Sequence, residues 1–335
     1  MKKERIAYID RLRGVNIFLV VMGHVITANV INGETSKILV YGSTFRMPLF
    51  MFLCGYIASK VIKPQIFERY GLFVLKKCRT LLVPFFAWPL LVEPFFFSDA
   101  IHFNYWGKIK ELLNGGGLWF LYYLFFITQL YSLWLFFSHR FNKQRRFFLD
   151  LLFLAGIGLA LSAIWKMDII GFMTNFMLFF VFYFTGVLMA KYEFLSKILV
   201  NSKVFSAALL AFVLLVGHYE YGFSSLTNTL VKVSSAFAAI VVFYYLVKHL
   251  TWPPALDKHI RHWGVHSLVI YVTHGAVSAV FSHAFIPASF QQVPLFLITG
   301  SLTLVVVMIC MFVYGIVKRS GAMNFLLYGN RPNYY

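Results

Sequence analysis

Residues 294–317, PLFLITGSLTLVVVMICMFVYGIV, decide the fold class of this chain, because these 24 residues include no Asp, Glu, Lys or Arg. About 20 predominantly apolar residues are enough for a helix to cross the hydrocarbon core of a bilayer. Apolar residues run through the whole stretch, without the alternation that a membrane-barrel strand would show. We therefore interpret it as a transmembrane helix.

Comparable apolar stretches recur along the rest of the chain. The predicted spans are 14–31, 43–59, 81–97, 117–138, 147–165, 170–190, 204–218, 225–247, 263–282 and 294–317. Of the 335 residues, 60% are hydrophobic and 13% are charged, against roughly 25% charged residues in an average soluble domain. A soluble globular fold could not hide this much apolar surface from water. The predicted fold is an all-α, polytopic transmembrane helical bundle of about ten spans.

The net charge of +18, from 30 Lys and Arg against 12 Asp and Glu, has two readings. In a soluble protein it would suggest nucleic-acid binding. Here, 24 of the 30 cations fall in the segments that this map places inside the cell, and four fall outside, as the positive-inside rule requires. We therefore expect both termini in the cytoplasm, membrane lipid as a partner and no nucleic acid. Residues 1–335 are expected to form one membrane domain without a fused soluble domain.

Ionisable residues inside hydrocarbon are costly and usually face a polar cavity. His24 and Arg13 lie eleven residues apart on one stripe of the first predicted helix, with about 16 Å of axial rise between them. This places Arg13 at the cytoplasmic mouth and His24 near mid-membrane, where an imidazole can accept a proton from a hydroxyl near neutral pH. The alternative is a histidine that hydrogen-bonds between helices and serves packing alone.

Two further charges lie in the outer halves of predicted spans. Arg46 is expected near the depth of His24, where it could bind an oxyanion or an acidic sugar; the alternative is that it snorkels to the outer interface. Glu93 could pair with Arg46 or Lys232, or orient His24, or belong to a structural ion pair.

Cations also gather at the cytoplasmic entrance of the third span. Lys76 and Arg79 could hold the phosphates of an anionic, nucleotide-like donor, although ordinary positive-inside bias also explains them. His259, Arg261 and His262 are interpreted as a solvated loop. No metal-binding or Walker motif is present.

A second polar face is predicted on span nine. Ser267, Tyr271 and His274 recur at helical spacing and could serve either structure or chemistry.

Several of these residues carry a family resemblance. Tyr8-Ile9-Asp10-Arg11-Leu12-Arg13-Gly14, followed by Gly23-His24, resembles the opening signature of the acyltransferase 3 family of membrane O-acyltransferases. The stretch from Phe45 to Tyr56 resembles the second signature, with Cys54 where the family usually has Ser. Leu118-Trp119-Phe120-Leu121 resembles a third, and Tyr271-x-x-His274 a late one. The family's Arg-x-x-Arg before span three stands here as Lys76-x-x-Arg79.

The resemblance implies a reaction and a site. The donor is acyl-CoA, usually acetyl-CoA from the cytoplasm, with no tightly bound cofactor and no metal. The acceptor is a hydroxyl of a cell-surface or lipid-linked glycan, and the location is the bacterial inner membrane. The catalytic set expected on this basis is His24, Arg46, Glu93, Tyr271 and His274; the donor-binding set is Asp10, Arg13, Lys76 and Arg79.

Two points stay open from the sequence. His24 could act as a general base on the acceptor hydroxyl or accept the acetyl group first. A transporter or flippase for a lipid-linked sugar also fits intramembrane His, Arg, Glu and Lys. The absence of a repeat between the two halves of the chain disfavours that alternative. The identity of the acceptor and the assembly of a homo-oligomer are not predicted.

Overall fold

A computed structural model describes residues 6–63, 67–96, 103–166, 171–222, 225–280, 285–287 and 292–330. Within these ranges the chain is helical, and extended backbone pairing is confined to one parallel bridge between Val30 and Ile286. The α-helices are α1 (Ala7–Asn29), α2 (Lys37–Val61), α3 (Phe67–Lys77), α4 (Val83–Ala87), α5 (Glu93–Phe96), α6 (Tyr105–Leu113), α7 (Trp119–Ser138), α8 (Lys143–Lys166), α9 (Gly171–Lys191), α10 (Glu193–Ser196), α11 (Ser202–Val216), α12 (Leu226–His249), α13 (Pro254–Val265), α14 (Ser267–Val280), α15 (Gln292–Val317) and α16 (Gly321–Tyr328).

Six helical segments of the described chain are long and apolar enough to cross a membrane. They are Ala7–Asn29, Lys37–Val61, Tyr70–Phe95, Trp119–Ser138, Leu226–His249 and Gln292–Val317. A bent pair, Phe176–Lys191 with Glu193–Val200, would add a seventh. Each of the ten predicted stretches overlaps a described helix, so the all-helical, multi-pass prediction is confirmed. The count of about ten and the cytoplasmic placement of both termini stay predictions.

The third of these segments is not a regular α-helix. Residues 78–82 and 88–92 form π-helical turns between α3, α4 and α5. A proline inside a helix clashes with the carbonyl four residues earlier. For Pro84 that residue is Thr80, and for Pro94 it is Leu90, so each wide turn contains the carbonyl that would clash. The π turns therefore let an apolar segment with prolines continue.

Contacts group the described residues into two units. The first comprises Met1–Phe50 and Phe194–Ile316. Within it, α1 packs against α12, α13 and α14. The crossing of α1 and α13 depends on two glycines, because a Cβ on Gly14 or on Gly264 would collide with a backbone carbonyl of the opposite helix. This crossing fixes the N-terminal half of α1.

The second unit comprises Met51–Glu193 and Val317–Tyr335. Its helices α7, α8 and α9 converge on the fully buried Asp150. Trp134 Nε1 and the Tyr192 hydroxyl each donate a hydrogen bond to this carboxylate at 2.7 Å, and Lys191 forms an ion pair with it. A buried charge whose oxygens are all engaged makes a specific link between helices, and we assign Asp150 to structure.

His259, Arg261 and His262 are exposed, as predicted, but the prediction that they form a loop is wrong. These residues lie in α13, and Pro254 is the first residue of this helix. Proline is favoured at that position because the first helical N–H groups have no partner within the helix. The sequence of α13 mixes charged and apolar residues, so it lacks the long apolar run by which the membrane-length helices were predicted.

Candidate functional site

Two imidazoles from distant parts of the sequence meet in the first unit. The ring centroids of His24 on α1 and His274 on α14 lie 4.8 Å apart, with an angle of 55° between the rings. His274 is 4% exposed, whereas His24 is exposed although its neighbours Gly23 and Val25 are buried. One ring is thus held within the protein and the other is open to an approaching molecule.

The protonation of His274 follows from its hydrogen bonds. Its Nδ1 lies 2.6 Å from the Tyr271 carbonyl oxygen and 3.2 Å from that of Ile270. A carbonyl oxygen only accepts, so Nδ1 must carry the proton. In the neutral ring, Nε2 is therefore an acceptor. Tyr271 contributes through its backbone and through its ring, whose centroid lies 5.7 Å from that of His274.

Arg46 is seated by backbone carbonyls and is 9% exposed. Its Nη1 donates to the Leu19 carbonyl at 3.0 Å, and its Nη2 points to that of Leu39 at 3.4 Å. The amide of Asn16, which is fully buried, donates to the Arg46 carbonyl at 2.8 Å. These bonds hold a planar cation in one place against α1.

A glycine makes room for this guanidinium. A Cβ on Gly23 would lie 1.7 Å from Nη1 of Arg46, far inside the roughly 3.5–4.0 Å at which nonbonded heavy atoms make their best contact. The residue before His24 must therefore lack a side chain if the Arg46 guanidinium is to keep its position against α1. The structure thus brings Arg46 to the level of His24 on α1.

Arg13 lies at the other end of the same helix. Its Nη2 donates to the Ser267 hydroxyl at 2.9 Å, and Ser267 is 2% exposed. From Arg13 to His24, α1 rises about 16 Å, while α14 rises only about 10 Å from Ser267 to His274. An extended arginine side chain covers the difference. The guanidinium of Arg13 therefore contacts the first residue of α14, seven residues before His274.

Three contacts at successive levels show that α1 and α14 run in the same direction. They join Arg13 to Ser267, His24 to His274, and Val30 to Ile286. Asp10 lies one turn before Arg13, and its backbone packs against Gly264 of α13. All predicted site residues on α1, α2 and α14 therefore lie in the first unit.

Comparison with known proteins shows to which protein family this chain belongs. Residues 6–315 match a family model described as an acyltransferase domain, that of acyltransferase 3. The chain belongs to the acyltransferase 3 family. It is also 33% identical over 135 residues to the nodulation protein NolL of Sinorhizobium fredii, a match that covers 37% of this chain and 36% of that protein. The chain thus aligns with well under half of the length of that relative. No solved structure matches it.

The predicted resemblance is therefore confirmed: the chain is a member of this family, and its described part contains several helices that are long and apolar enough to cross a membrane. Two residues of this site, Asn16 and Gly23, are not among the functional candidates that the sequence indicates, whereas Ser267 belongs to the polar face predicted on span nine. Gly23 falls in a segment that carries the resemblance, but both residues contact Arg46, which lies on another helix. Position in a family motif was the only signal that could have singled out Gly23.

The remaining predicted site residues lie in the second unit. Lys76 is exposed in the last turn of α3. Arg79 donates from Nε to the Gly329 carbonyl at 3.1 Å, which ties it to the end of α16. Contact of either residue with a donor, and with Arg13, stays a prediction.

Glu93 has a different partner from those predicted. Its carboxylate lies 2.8 Å from Nζ of Lys108 on α6, which also approaches Glu111. Partial burial lowers the pKa of Lys108, but the hydrogen bonds and charges of Glu93 and Glu111 outweigh it, so the pKa is raised overall. Orientation of His24 by Glu93 stays a prediction that no described contact supports.

Proposed function

We propose that this acyltransferase moves an acetyl group from cytoplasmic acetyl-CoA to a hydroxyl of a cell-surface or lipid-linked glycan, in the bacterial inner membrane. The observation that carries the proposal is the histidine pair: an open His24 ring beside a buried His274, with the Arg46 guanidinium at the same level. A base, a group to orient it and a fixed cation are the parts that acyl transfer from a thioester needs.

In the proposed reaction His24 is the general base. It takes the proton of the acceptor hydroxyl as the oxygen attacks the thioester carbonyl, which forms a C–O bond and a tetrahedral oxyanion. Collapse of this intermediate breaks the C–S bond, and His24 returns the proton to the sulfur, which leaves as free CoA. Such proton transfer typically contributes about 10² to 10⁴-fold to a rate.

His274 and Arg46 have separate tasks in this scheme. Because Nδ1 of His274 is committed to the Tyr271 carbonyl, its Nε2 is free to accept the N–H of His24. This fixes which nitrogen of His24 faces the acceptor. Arg46, held by the Leu19 carbonyl, stabilises the oxyanion, as preorganised donors in a water-poor site do most effectively.

The donor is proposed to enter along α1 from the cytoplasm. Arg13, with Asp10 beside it, would bind the phosphates of acetyl-CoA through charge-assisted hydrogen bonds; a part for Lys76 and Arg79 in donor binding rests on the sequence alone. The pantetheine arm would then cover the rise of about 16 Å between Arg13 and His24.

The direction of α14 supports the topology that this entry requires. Because α1 and α14 are parallel, an odd number of crossings must separate them if both cross the membrane. Seven predicted spans lie between them, which is odd. The charge bias of the loops then places Arg13 on the cytoplasmic side.

Acetyl transfer in membrane vesicles tests the proposal. With radiolabelled acetyl-CoA, vesicles carrying the protein should label a glycan fraction and release free CoA. His24→Ala should abolish both, while His139→Ala should leave them unchanged, because His139 is exposed at the end of α7. Normal transfer by His24→Ala would end the proposal. Counterflow of a lipid-linked sugar without CoA release would instead favour a transporter.

A further inference from the structure

Two cations of the first unit that are buried or half-buried form no ion pair within the part of the chain that the structure describes. They are Arg46, which is 9% exposed, and Lys232, which lies half-buried two turns into the apolar helix α12. A charge in such surroundings normally meets a counter-charge or a polar cavity, since an uncompensated buried charge is strongly destabilising. An arrangement with two cations therefore calls for an anion.

A short aromatic segment brings the two cations together. Nζ of Lys232 lies 5.9 Å from the ring centroid of Tyr219. The Tyr219 hydroxyl interacts with the side chain of Ser43, which precedes Arg46 on α2 by three residues, about 4.5 Å of rise. Tyr221, 47% exposed, interacts electrostatically with Arg46. Lys232 thus lies beside Tyr219, and Arg46 interacts with Tyr221, two residues further along the same segment.

The carboxylate nearest in sequence does not neutralise them. Glu220 is exposed and forms no ion pair in the described chain. Its backbone is fixed instead: its N–H donates to Asn228 Oδ1 at 3.0 Å, and Asn228 Nδ2 donates to its carbonyl at 2.8 Å. Asn228 is buried in the first turn of α12. The tyrosines on either side of Glu220 are therefore held in position without a counter-charge.

The open face of α1 adjoins these groups. Gly23 accommodates the Arg46 guanidinium, and the next residue, His24, is exposed. One turn further on, Thr27 is exposed, and Ile31 beyond the end of the helix is 46% exposed. An acceptor approaching His24 along this face would pass the cations and the tyrosines.

We propose that Lys232, with Tyr219 and Tyr221, binds an anionic group of the acceptor, a phosphate or a carboxylate, so that a neighbouring sugar hydroxyl faces His24 and the Arg46 guanidinium stays available for the oxyanion. Aromatic rings offer an apolar face to a sugar, while the Lys232 ammonium offers charge-assisted hydrogen bonds to its acidic substituent. This acceptor site rests on the proposed function, and it adds that the acceptor is acidic. A phosphate would come from a lipid-linked sugar, and a carboxylate from an acidic glycan.

Binding to simple glycosides tests the acceptor site without knowledge of the natural acceptor. The full chain in phosphatidylcholine nanodiscs would be titrated by calorimetry with octyl glucuronide, its neutral amide, and glucosyl octyl phosphate. At least one anionic probe should bind about tenfold or more tightly than the amide. The tighter of the two anions identifies the source of the charge.

Variants of two lysines on α12 make the test specific. Lys232→Met should bring the binding ratio close to one, and Lys232→Arg should keep it. Lys248→Met is the matched control, because Nζ of Lys248 also lies over a tyrosine ring, 5.4 Å from the centroid of Tyr8, and it should retain the preference.

Three results would overturn the acceptor site: no preference for either anion in the wild type, a preference that survives Lys232→Met, or loss of the preference when phosphatidylglycerol is added to the nanodisc. The last would mean that Lys232 serves lipid headgroups. Release of CoA from acetyl-CoA is measured on the same preparations. If the anion preference is lost while CoA is still released, the acceptor site fails and the proposed function stands. If the preference is kept but no CoA is released, the proposed function fails and the anion site stands.

Discussion

Replacement of Gly23 by alanine tests whether the position of the Arg46 guanidinium matters for catalysis. The added Cβ would lie 1.7 Å from Nη1, whereas nonbonded heavy atoms need about 3.5 Å or more. The guanidinium must therefore move by about 2 Å, and its 3.0 Å bond to the Leu19 carbonyl is lost. Since a misplacement of about 1 Å can reduce a rate about 10²-fold, we expect Gly23→Ala to lower kcat for acetyl transfer by about 10²-fold.

The matched control is Gly275→Ala. Gly275 follows the other histidine of the pair, and a Cβ there meets nothing within 4 Å. Alanine is favoured over glycine in a helix by up to about 1 kcal/mol, so this variant should keep its activity and its melting temperature should not fall. Steady-state acetyl transfer per folded protein, measured by release of free CoA, compares the two.

A double variant makes the interpretation stricter. In an Arg46→Ala background there is no guanidinium to displace, so Gly23→Ala should add little further loss, as expected for coupled positions. Full activity of a well-folded Gly23→Ala variant would refute the claim that catalysis needs the Arg46 guanidinium in this position. An equal loss of activity in Gly275→Ala, or strictly additive losses in the double variant, would refute it as well.

Three further predictions follow from other contacts. Ser267→Ala should raise KM for acetyl-CoA several-fold with little change in kcat, and Ser267→Thr should restore it, in initial-rate measurements. Asp150→Asn should destabilise the protein, by about 3–5 kcal/mol if Lys191 is left as an unpaired buried charge, while activity per folded molecule is unchanged; denaturation and activity assays on one preparation check this. The charge and hydrogen bond of Arg11 hold the pKa of the Asp257 carboxyl below its usual 3.8. Its contribution to stability is therefore full above pH 3.8 and lost as pH falls through the lowered value, and Asp257→Asn should remove that part of the pH dependence of the melting temperature.

The sequence predicts the helices well because apolar length alone distinguishes a membrane span. It does not predict the π turns before Pro84 and Pro94, because the sequence shows where a proline stands but not how the backbone absorbs it. It also misses α13, whose amphipathic pattern lacks the long apolar run that marks the other helices. The rise of about 16 Å between Arg13 and His24 follows from helical geometry, and the sequence also predicts that both residues lie on one stripe of α1, which agrees with the contacts that both make with α14.

The rest of the site depends on contacts between distant segments. That His24 meets His274, 250 residues later, cannot be read from periodicity within either helix. The partner of Arg13 is likewise Ser267, and the seat of Arg46 is made by a glycine on another helix. Such pairings are set by tertiary packing, whereas family motifs indicate only that both ends matter.

The most direct measurement of the central claim is CoA release from acetyl-CoA supplied to the cytoplasmic face of inverted vesicles, comparing the wild type with His24→Gln. Glutamine keeps a similar size and hydrogen-bonding capacity but cannot take a proton from a hydroxyl. The rate should fall by about 10² to 10⁴-fold while the protein level in the vesicles stays the same. An unchanged rate in His24→Gln would contradict the assignment of the open imidazole as the base.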